Sequence, residues 1–403
     1  MGQMVGRPEL ILGIDLGTSF STAAAVIDGK LHFALDSRGE ACFPTVVHFP
    51  KVGAPLVGFE ADRLRESDPA HTFYGFKRVI GRTSESPAAK VLDASAPFKL
   101  VLKPTMEVAV KARAAAVSAT ELAAIVLRHL KERAEQRFCR PVHKAVLTVP
   151  ALATPATRSA MQKAAQRAAL DVVRLVQEPV AGAVAHGANP KAPPFAVYDF
   201  GGGTFDAAVL RGNGTGLEVL SAGGDDCLGG DDLDLAFSRY IANGLWKIRR
   251  LDAQRDAELW TRITRQCEAV KRALSNSPSV RYQLKDAFRD LQPDLDVVVH
   301  RDHLRASWSE HVQRSLDATQ ATLQRSGVDR AALAGVLLIG GTTFVHQVRE
   351  GVNGMFGGKA LIEKDPQTAV ARGAAIIAAR PDAAGADASE PVQAPRAAVK
   401  QAS

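Results

Sequence analysis

Short apolar runs punctuated by glycine occur twice along the chain in the same arrangement. The stretch 11–26 runs apolar strand, Asp15, Leu16, a Gly17-Thr18-Ser19 turn and a second apolar strand beginning at Phe20. The stretch 196–210 repeats it with Asp199, Phe200 and a Gly201-Gly202-Gly203-Thr204 turn, followed by Phe205 and Asp206. This pattern predicts two β-hairpins. One hairpin recurring in both halves of a chain predicts an internal duplication, so two similar lobes are expected.

Around the hairpins, strand and helix patterns alternate. Asp28-Gly29-Lys30 predicts the turn into a third strand ending at Phe33. From about 43 to 117, Pro44, Pro50, Pro55, Pro69, Pro87, Pro97 and Pro104 break the pattern, as in an inserted subdomain. Ser118-Ala119-Thr120-Glu121 reads as a capping box opening a helix toward Phe138, with Leu122, Ile125, Val126 and Leu130 on its apolar face. Lys144–Val149 predicts a strand stopped by Pro150, Thr154-Pro155 a helix start, Val172–Val176 a strand, and Glu178-Pro179 a helix ending near Gly187. Farther on, Glu218–Ala222 predicts a strand and Gly229-Gly230-Asp231-Asp232 a helix start. A helix over 304–326, a strand at Gly335–Ile339, a helix opened by Gly340-Gly341 and an alanine-rich last helix complete the pattern. The expected division is a leader at 1–9, lobe I at 10–188 with its insertion at about 43–117, and lobe II at 189–366 with a mainly helical insertion at about 229–305. A closing helix at 367–380 and a disordered tail at 381–403 follow; the tail has no periodic apolar face.

Composition changes this picture little. With 403 residues and 46% hydrophobic content, the chain exceeds one ordinary core and suffices for two α/β lobes. No apolar run is long enough for a membrane span and the N-terminus lacks a signal-peptide core, so a cytoplasmic protein without membrane contact is expected. Cys42, Cys139, Cys227 and Cys267 lack metal-ligand spacing and are expected to be buried reduced thiols. The net charge of +7 is dispersed, and the densest basic group, Arg128, Lys131, Arg133, Arg137 and Arg140, reads as a solvated helix face. No nucleic-acid partner is expected.

The two turns carry the candidate chemistry. Glycine lets a turn use positive φ and approach an oxyanion, and its N–H groups form a nest for phosphate oxygens. A carboxylate just before each turn would repel phosphate directly, so Asp15 and Asp199 imply an intervening divalent cation, most naturally Mg²⁺ held through water. The predicted ligand is a nucleoside triphosphate between the lobes.

Five segments together resemble the ATPase domain of the DnaK-type, seventy-kilodalton heat-shock chaperones, in the actin and sugar-kinase superfamily. They are Gly13-Ile14-Asp15-Leu16-Gly17-Thr18, the lysine loop Gly75-Phe76-Lys77-Arg78-Val79-Ile80-Gly81-Arg82, Leu147-Thr148-Val149-Pro150-Ala151 with Arg158, Val197–Asp206, and the helix segment Cys267–Ser275. The resemblance covers about 10–380. It implies an α/β, two-lobe actin-like fold, each lobe a mixed five-stranded sheet flanked by helices with a smaller inserted subdomain.

Carried over residue by residue, the resemblance assigns Asp15 and Asp199 to water-shelled Mg²⁺, with K⁺ as a further candidate. Gly17, Thr18, Ser19 and the amides of Gly201, Gly202, Gly203 and Thr204 would hold the β- and γ-phosphates of ATP or ADP, beside Phe20. Lys77 would face the γ-phosphate, Glu178 and Asp206 would position the attacking water, and Thr204 would sit beside it. Pro150 and Arg158 would be a switch pair reading nucleotide state from Glu178. Glu268, Lys271, Arg272 and Ser275 would bind ribose and adenine, with Gly340 and Gly341 backing the base. The spacing of Glu268, Lys271, Arg272 and Ser275 independently places them on one helix face. Read without the resemblance, Lys77 is equally a surface charge, Pro150 a strand terminator, and Glu268 with Lys271 an ordinary surface pair.

Two departures from the family pattern stand out. Where the family has an arginine stacking on adenine, this chain has Phe344, expected either to stack on the base or to turn into the core. The family's Asn-Pro-Asp near the last helix is Asp365-Pro366-Gln367. The family's apolar linker and β-sandwich peptide-binding domain are not found in the chain. The expected function is therefore a slow chaperone-like ATPase acting through lobe closure and partners: a J-domain protein, a nucleotide-exchange factor and a separate client-binding protein. The alternative is a non-chaperone actin-like nucleotide switch or scaffold.

Overall fold

The computed structural model describes residues 9–113, 115–284 and 295–380. The expected leader, except Glu9, and the tail lie outside the described residues.

The first hairpin forms as its pattern predicts. Strands β1 (Ile11–Leu16) and β2 (Phe20–Ile27) pair antiparallel, and Asp28 and Gly29, both with positive φ, turn the chain into β3 (Lys30–Phe33). β4 (Lys144–Val149) and β5 (Asp171–Gln177) complete the path β5-β4-β1-β2-β3, with β4 parallel to both β1 and β5. A two-residue strand, Phe43–Pro44, adds to β2 off this path.

The second sheet has the same order and sense. β6 (Phe195–Phe200) and β7 (Phe205–Gly212) form the second hairpin, and β8 (Leu217–Asp225) follows antiparallel. β9 (Val336–Ile339) and β10 (Ala360–Ile362) extend the path to β8-β7-β6-β9-β10, with parallel pairing of β6 to β9 and of β9 to β10. Each of the five strands on the path of the first sheet therefore has a counterpart in the second, and only Phe43–Pro44 has none among the described residues. The edge strand β10 was not anticipated, because three residues are too few for a periodic signal.

Helix starts follow local chemistry. In α1 (Ala119–Phe138), Ser118 Oγ accepts the Glu121 N–H and Glu121 accepts the Ser118 N–H, completing the capping box. α2 (Pro155–Arg167) is capped by Thr154, and α3 (Glu178–Ala185) opens with Pro179 in its first turn. Next come α4 (Gly230–Arg249), α5 (Ala257–Leu274), α6 (Arg305–Ser326), α7 (His346–Phe356) and α8 (Ala369–Ala378). Gly340-Gly341 leads into a 3₁₀ turn, Gly341–Phe344, rather than directly into α7.

Alanine and glycine content is explained where the lobes meet. α3 and α8 cross between the two sheets, and a Cβ at Gly373 would lie 1.7 Å from the Ala181 carbonyl oxygen. A Cβ at Gly13 would lie 2.0 Å from the Ala375 nitrogen. Small residues let these backbones touch. Larger side chains pack on the outer faces, with Phe43, Phe73 and Phe76 in one core and Tyr198, Phe200, Phe237 and Tyr282 in the other.

The basic group on α1 has local partners: Arg128 donates to the Arg167 carbonyl, Lys131 to that of Ala169 and Arg133 to that of Leu35. All four cysteines are free, but Cys139 is exposed and Cys42 and Cys227 are half-buried, so only Cys267 meets the expectation of a buried thiol. Among the described residues, no helix is long and apolar enough to cross a membrane.

Candidate functional site: a cleft between two glycine turns

Both hairpin turns open onto one cavity of about 130 Å³. Asp15, Gly17, Thr18, Ser19 and Phe20 line it from the first turn, and Asp199, Gly201, Gly202 and Thr204 from the second. Glycine is required here by contact rather than by φ. None of Gly17, Gly201, Gly202 and Gly203 adopts positive φ, which corrects that part of the expectation. A Cβ at Gly202 would lie 1.9 Å from Ser19 Oγ, and one at Gly203 2.3 Å from Thr18 Cγ2. Gly340 needs both freedoms: its φ is +82°, and a Cβ there would lie 2.4 Å from the Phe200 carbonyl oxygen.

Carboxylates converge beneath the turns. Register places Asp199 directly opposite Asp206 across β6 and β7, an arrangement that costs energy unless a cation offsets it. Lys77 Nζ donates to Glu178 Oε1 at 2.7 Å, and both side chains are buried. Burial drives the Asp15 carboxyl up to about 7, with Glu178 adding to the rise while Lys77 and a hydrogen bond from Thr148 Oγ1 oppose it. Burial and then Glu178 likewise push Asp206 up to about 7, and burial with Glu178, Asp206 and Asp15 lifts Asp199 well above the carboxylate range. Burial disfavours the Lys77 ammonium, yet Glu178 and Asp15 outweigh it and keep its pKa above the ordinary lysine value.

Asp15, Glu178, Asp199 and Asp206 thus all act on the Lys77 ammonium, four carboxyl groups on one cation, so the donor set fits an added divalent cation. Among the described residues, no three His, Cys, Asp or Glu side chains converge tightly enough to ligate a metal directly, so an ion here would be held through water.

The α5 residues divide. Glu268, Lys271 and Arg272 line the same cavity, but Ser275, just past the helix end, lines a separate small recess with Arg301 and Arg305. Lys271 Nζ donates to Asp234 Oδ2 at 2.6 Å and to the Gly230 carbonyl at 2.8 Å. The Arg272 guanidinium lies over the Phe20 ring at 5.2 Å, and 3.9 Å from Glu268. Gly340 and Gly341 line the cavity as expected, with Gln367 against Gly341. Phe344 departs from both placements expected from the sequence only in position, since it is neither fully buried nor on the cavity wall. It is half-buried outside the cavity, with the Arg349 guanidinium 5.3 Å from its ring centre.

Asp206 lies behind the cavity, where its Oδ1 accepts the Ala151 N–H at 3.1 Å. The turn at Pro150 is therefore tied to the carboxylate cluster through Asp206, and Arg158 donates to the Ala153 carbonyl from within the same turn and helix start. Thr148, Arg78, Asp231, Asp232 and Asp234 also belong to the site's surroundings and were not singled out by the sequence. Two signals existed: Arg78 sits inside the lysine loop, and the paired acids after Gly230 mark a helix start facing the second turn. Above this cavity the cleft widens to about 680 Å³, bounded by Phe20, Tyr74, Trp260 and Arg265.

Two duplicated sheets with an acidic, glycine-lined cleft between them have the two-lobe, actin-like fold. Residues 11–384 match the Hsp70 protein family, and the chain belongs to that family, whose members are ATPases. It is 35% identical over 378 residues to a "Chaperone protein HscA homolog" from Delftia acidovorans, covering 92% of this chain and 58% of that protein. It is 33% identical over 369 residues to "Heat shock 70 kDa protein, mitochondrial" from Solanum tuberosum, covering 91% of this chain and 54% of that one. The chain thus spans somewhat over half the length of these relatives.

Proposed function

We propose that this chain binds MgATP in the cleft, hydrolyses it slowly and uses the nucleotide to set lobe closure, as a cytoplasmic chaperone-type ATPase working with partner proteins. The observation carrying this reading is the convergence of both Asp–Gly turns and the buried Lys77–Glu178 pair on one cavity. Thr18, Ser19 and the N–H groups of Gly202, Gly203 and Thr204 hold phosphate oxygens, whereas the Gly201 N–H expected among them instead closes the turn by donating to the Thr204 carbonyl at 3.1 Å. Mg²⁺ held through water by Asp15 and Asp199 would neutralise phosphate charge; K⁺ is a second candidate near these carboxylates. Lys77 places a fixed positive charge where negative charge develops. Glu178 and Asp206 orient water, and Thr204 borders it. Glu268, Lys271 and Arg272 receive the nucleoside. The partners would be a J-domain protein, an exchange factor and a client-binding protein.

Calorimetry with ADP and ATP in millimolar Mg²⁺ tests binding, and single-turnover hydrolysis tests chemistry. Thr204→Ala is expected to slow hydrolysis by at least about tenfold while nucleotide affinity is largely kept, in line with losses of transition-state donors elsewhere. Absence of binding defeats the proposal, and a rate within twofold of wild type removes Thr204 from it.

A further inference from the structure

Arg78 places a buried guanidinium at the cleft. It follows Lys77 in the 3₁₀ turn Phe76–Val79 of lobe I and is 7% exposed. Its side chain crosses to lobe II, where Nη2 lies 2.9 Å from Asp232 Oδ2 and Nη1 3.4 Å from Oδ1. The same Nη2 is 3.7 Å from Asp231 Oδ2 and 3.5 Å from the Gly202 carbonyl oxygen. A Cβ at Gly203 would lie 2.7 Å from Arg78 Nε, so the second turn packs against the guanidinium itself.

Asp232 is bound to that turn by a second route. Its Oδ2 accepts the Gly229 N–H at 2.7 Å and so caps the start of α4. From the same start, the Gly230 N–H donates to the Gly201 carbonyl at 3.0 Å and the Asp231 N–H to the Gly202 carbonyl at 2.8 Å. The first turn joins as well, with Ser19 Oγ donating to Asp231 Oδ1 at 3.0 Å.

We infer that Arg78, acting through Asp232, is a positioning residue that sets the Gly201–Thr204 turn for phosphoryl transfer when the lobes are closed. This rests on the ATPase reading. A guanidinium fork holds a carboxylate in a fixed plane, which a lysine ammonium does not do. One short turn of lobe I therefore holds two things at once: Glu178 through Lys77, and the phosphate turn of lobe II through Arg78. Separating the lobes withdraws the fork, and a misplacement of about 1 Å in a reacting assembly costs on the order of a hundredfold in rate. Nucleotide affinity depends on contacts that remain, so the effect falls on hydrolysis.

The test uses the full chain as wild type, Arg78→Lys, Asp232→Asn and the double variant. Single-turnover ATP hydrolysis, ADP affinity by calorimetry and the melting temperature are measured for each. Asp232→Asn retains an amide oxygen for the Gly229 N–H, so the α4 cap survives; it also decides the matter alone should Arg78→Lys not fold. Each single change is expected to slow hydrolysis by at least about tenfold with ADP affinity within about threefold, the signature of an interaction lost mainly in the transition state. The double variant is expected to be no slower than the slower single one, because coupled partners are not additive. Rates within twofold of wild type in the singles, losses that multiply in the double, or rate losses that track lost ADP affinity or melting temperature would each overturn the inference. A wild-type chain that neither binds nor hydrolyses ATP refutes the underlying ATPase reading instead.

Discussion

Lys77, Lys271 and Arg78 are buried cations, and each is held by a carboxylate far away in the chain: Glu178, Asp234 and Asp232. Lys77 and Lys271 could be picked out because they lie in compact motifs, but Arg78 could not, nor could the three acids be matched to their cations, since no local pattern announces which acid will arrive opposite. Lys271 shows the consequence. It reads as half of a helical pair with Glu268, whereas it bonds to Asp234 and leaves Glu268 to Arg272. Phe344 lies 5.3 Å from the Arg349 guanidinium, a neighbour that no local pattern announced. With its ring under Arg349 and outside the cavity, Phe344→Ala is expected to leave ADP affinity within about threefold, against the roughly five- to hundredfold loss that removal of a stacking ring would cause. Calorimetric titration of the variant with ADP checks this, and a tenfold loss would return the ring to the base.

Elements meet through a second buried charge cluster away from the cleft. Glu363, just past β10, accepts from Arg372 of α8 at 2.6 Å and lies 2.8 Å from His186 Nδ1 at the end of α3. Burial alone would raise the Glu363 pKa, but the His186 and Arg372 contacts prevail and hold it below the ordinary value of 4.5. A carboxyl with a lowered folded-state pKa binds fewer protons than the unfolded chain between the two values. Its stabilisation is therefore complete above about 4.5 and is lost as pH falls through the lower folded-state value. Glu363→Gln is expected to lower the melting temperature at pH 7, where it leaves Arg372 without its buried counter-charge. The gap from wild type should narrow as pH drops below that window, which thermal melts across pH 3–8 would show. A gap that stays constant with pH would mean that packing, not charge, is what Glu363 contributes.

At the scale of the whole molecule, ion pairs bridge the mouth of the cleft. Arg265 of α5 lies 3.0 Å from Asp62 Oδ2 and 3.3 Å from Glu66 Oε1, and Arg82 reaches Asp226 at 2.5 Å. These groups are partly exposed, so each pair contributes modestly and is screened by salt. Arg265→Ala is expected to speed ADP release by roughly 1.4- to fivefold, the range of about 0.2–1 kcal/mol for such pairs. Stopped-flow displacement of a fluorescent ADP analogue measures this. Release from wild type should also quicken with added salt while release from the variant responds less; an equal salt response in both would remove Arg265 from the latch.

The duplicated hairpins, the helix starts and most residues around the two glycine turns are legible in the sequence alone. Each of these depends on near neighbours in the chain: alternation along a strand, a cap three residues from its partner, glycines beside an aspartate. Which carboxylate meets which cation, that Ser275 and Phe344 stand outside the cavity, and that Arg78 reaches the second turn emerge only when distant parts of the chain are packed together. Those outcomes depend on two lobes brought together through small residues on α3 and α8, and burial then makes an unpaired charge too costly to leave without a partner.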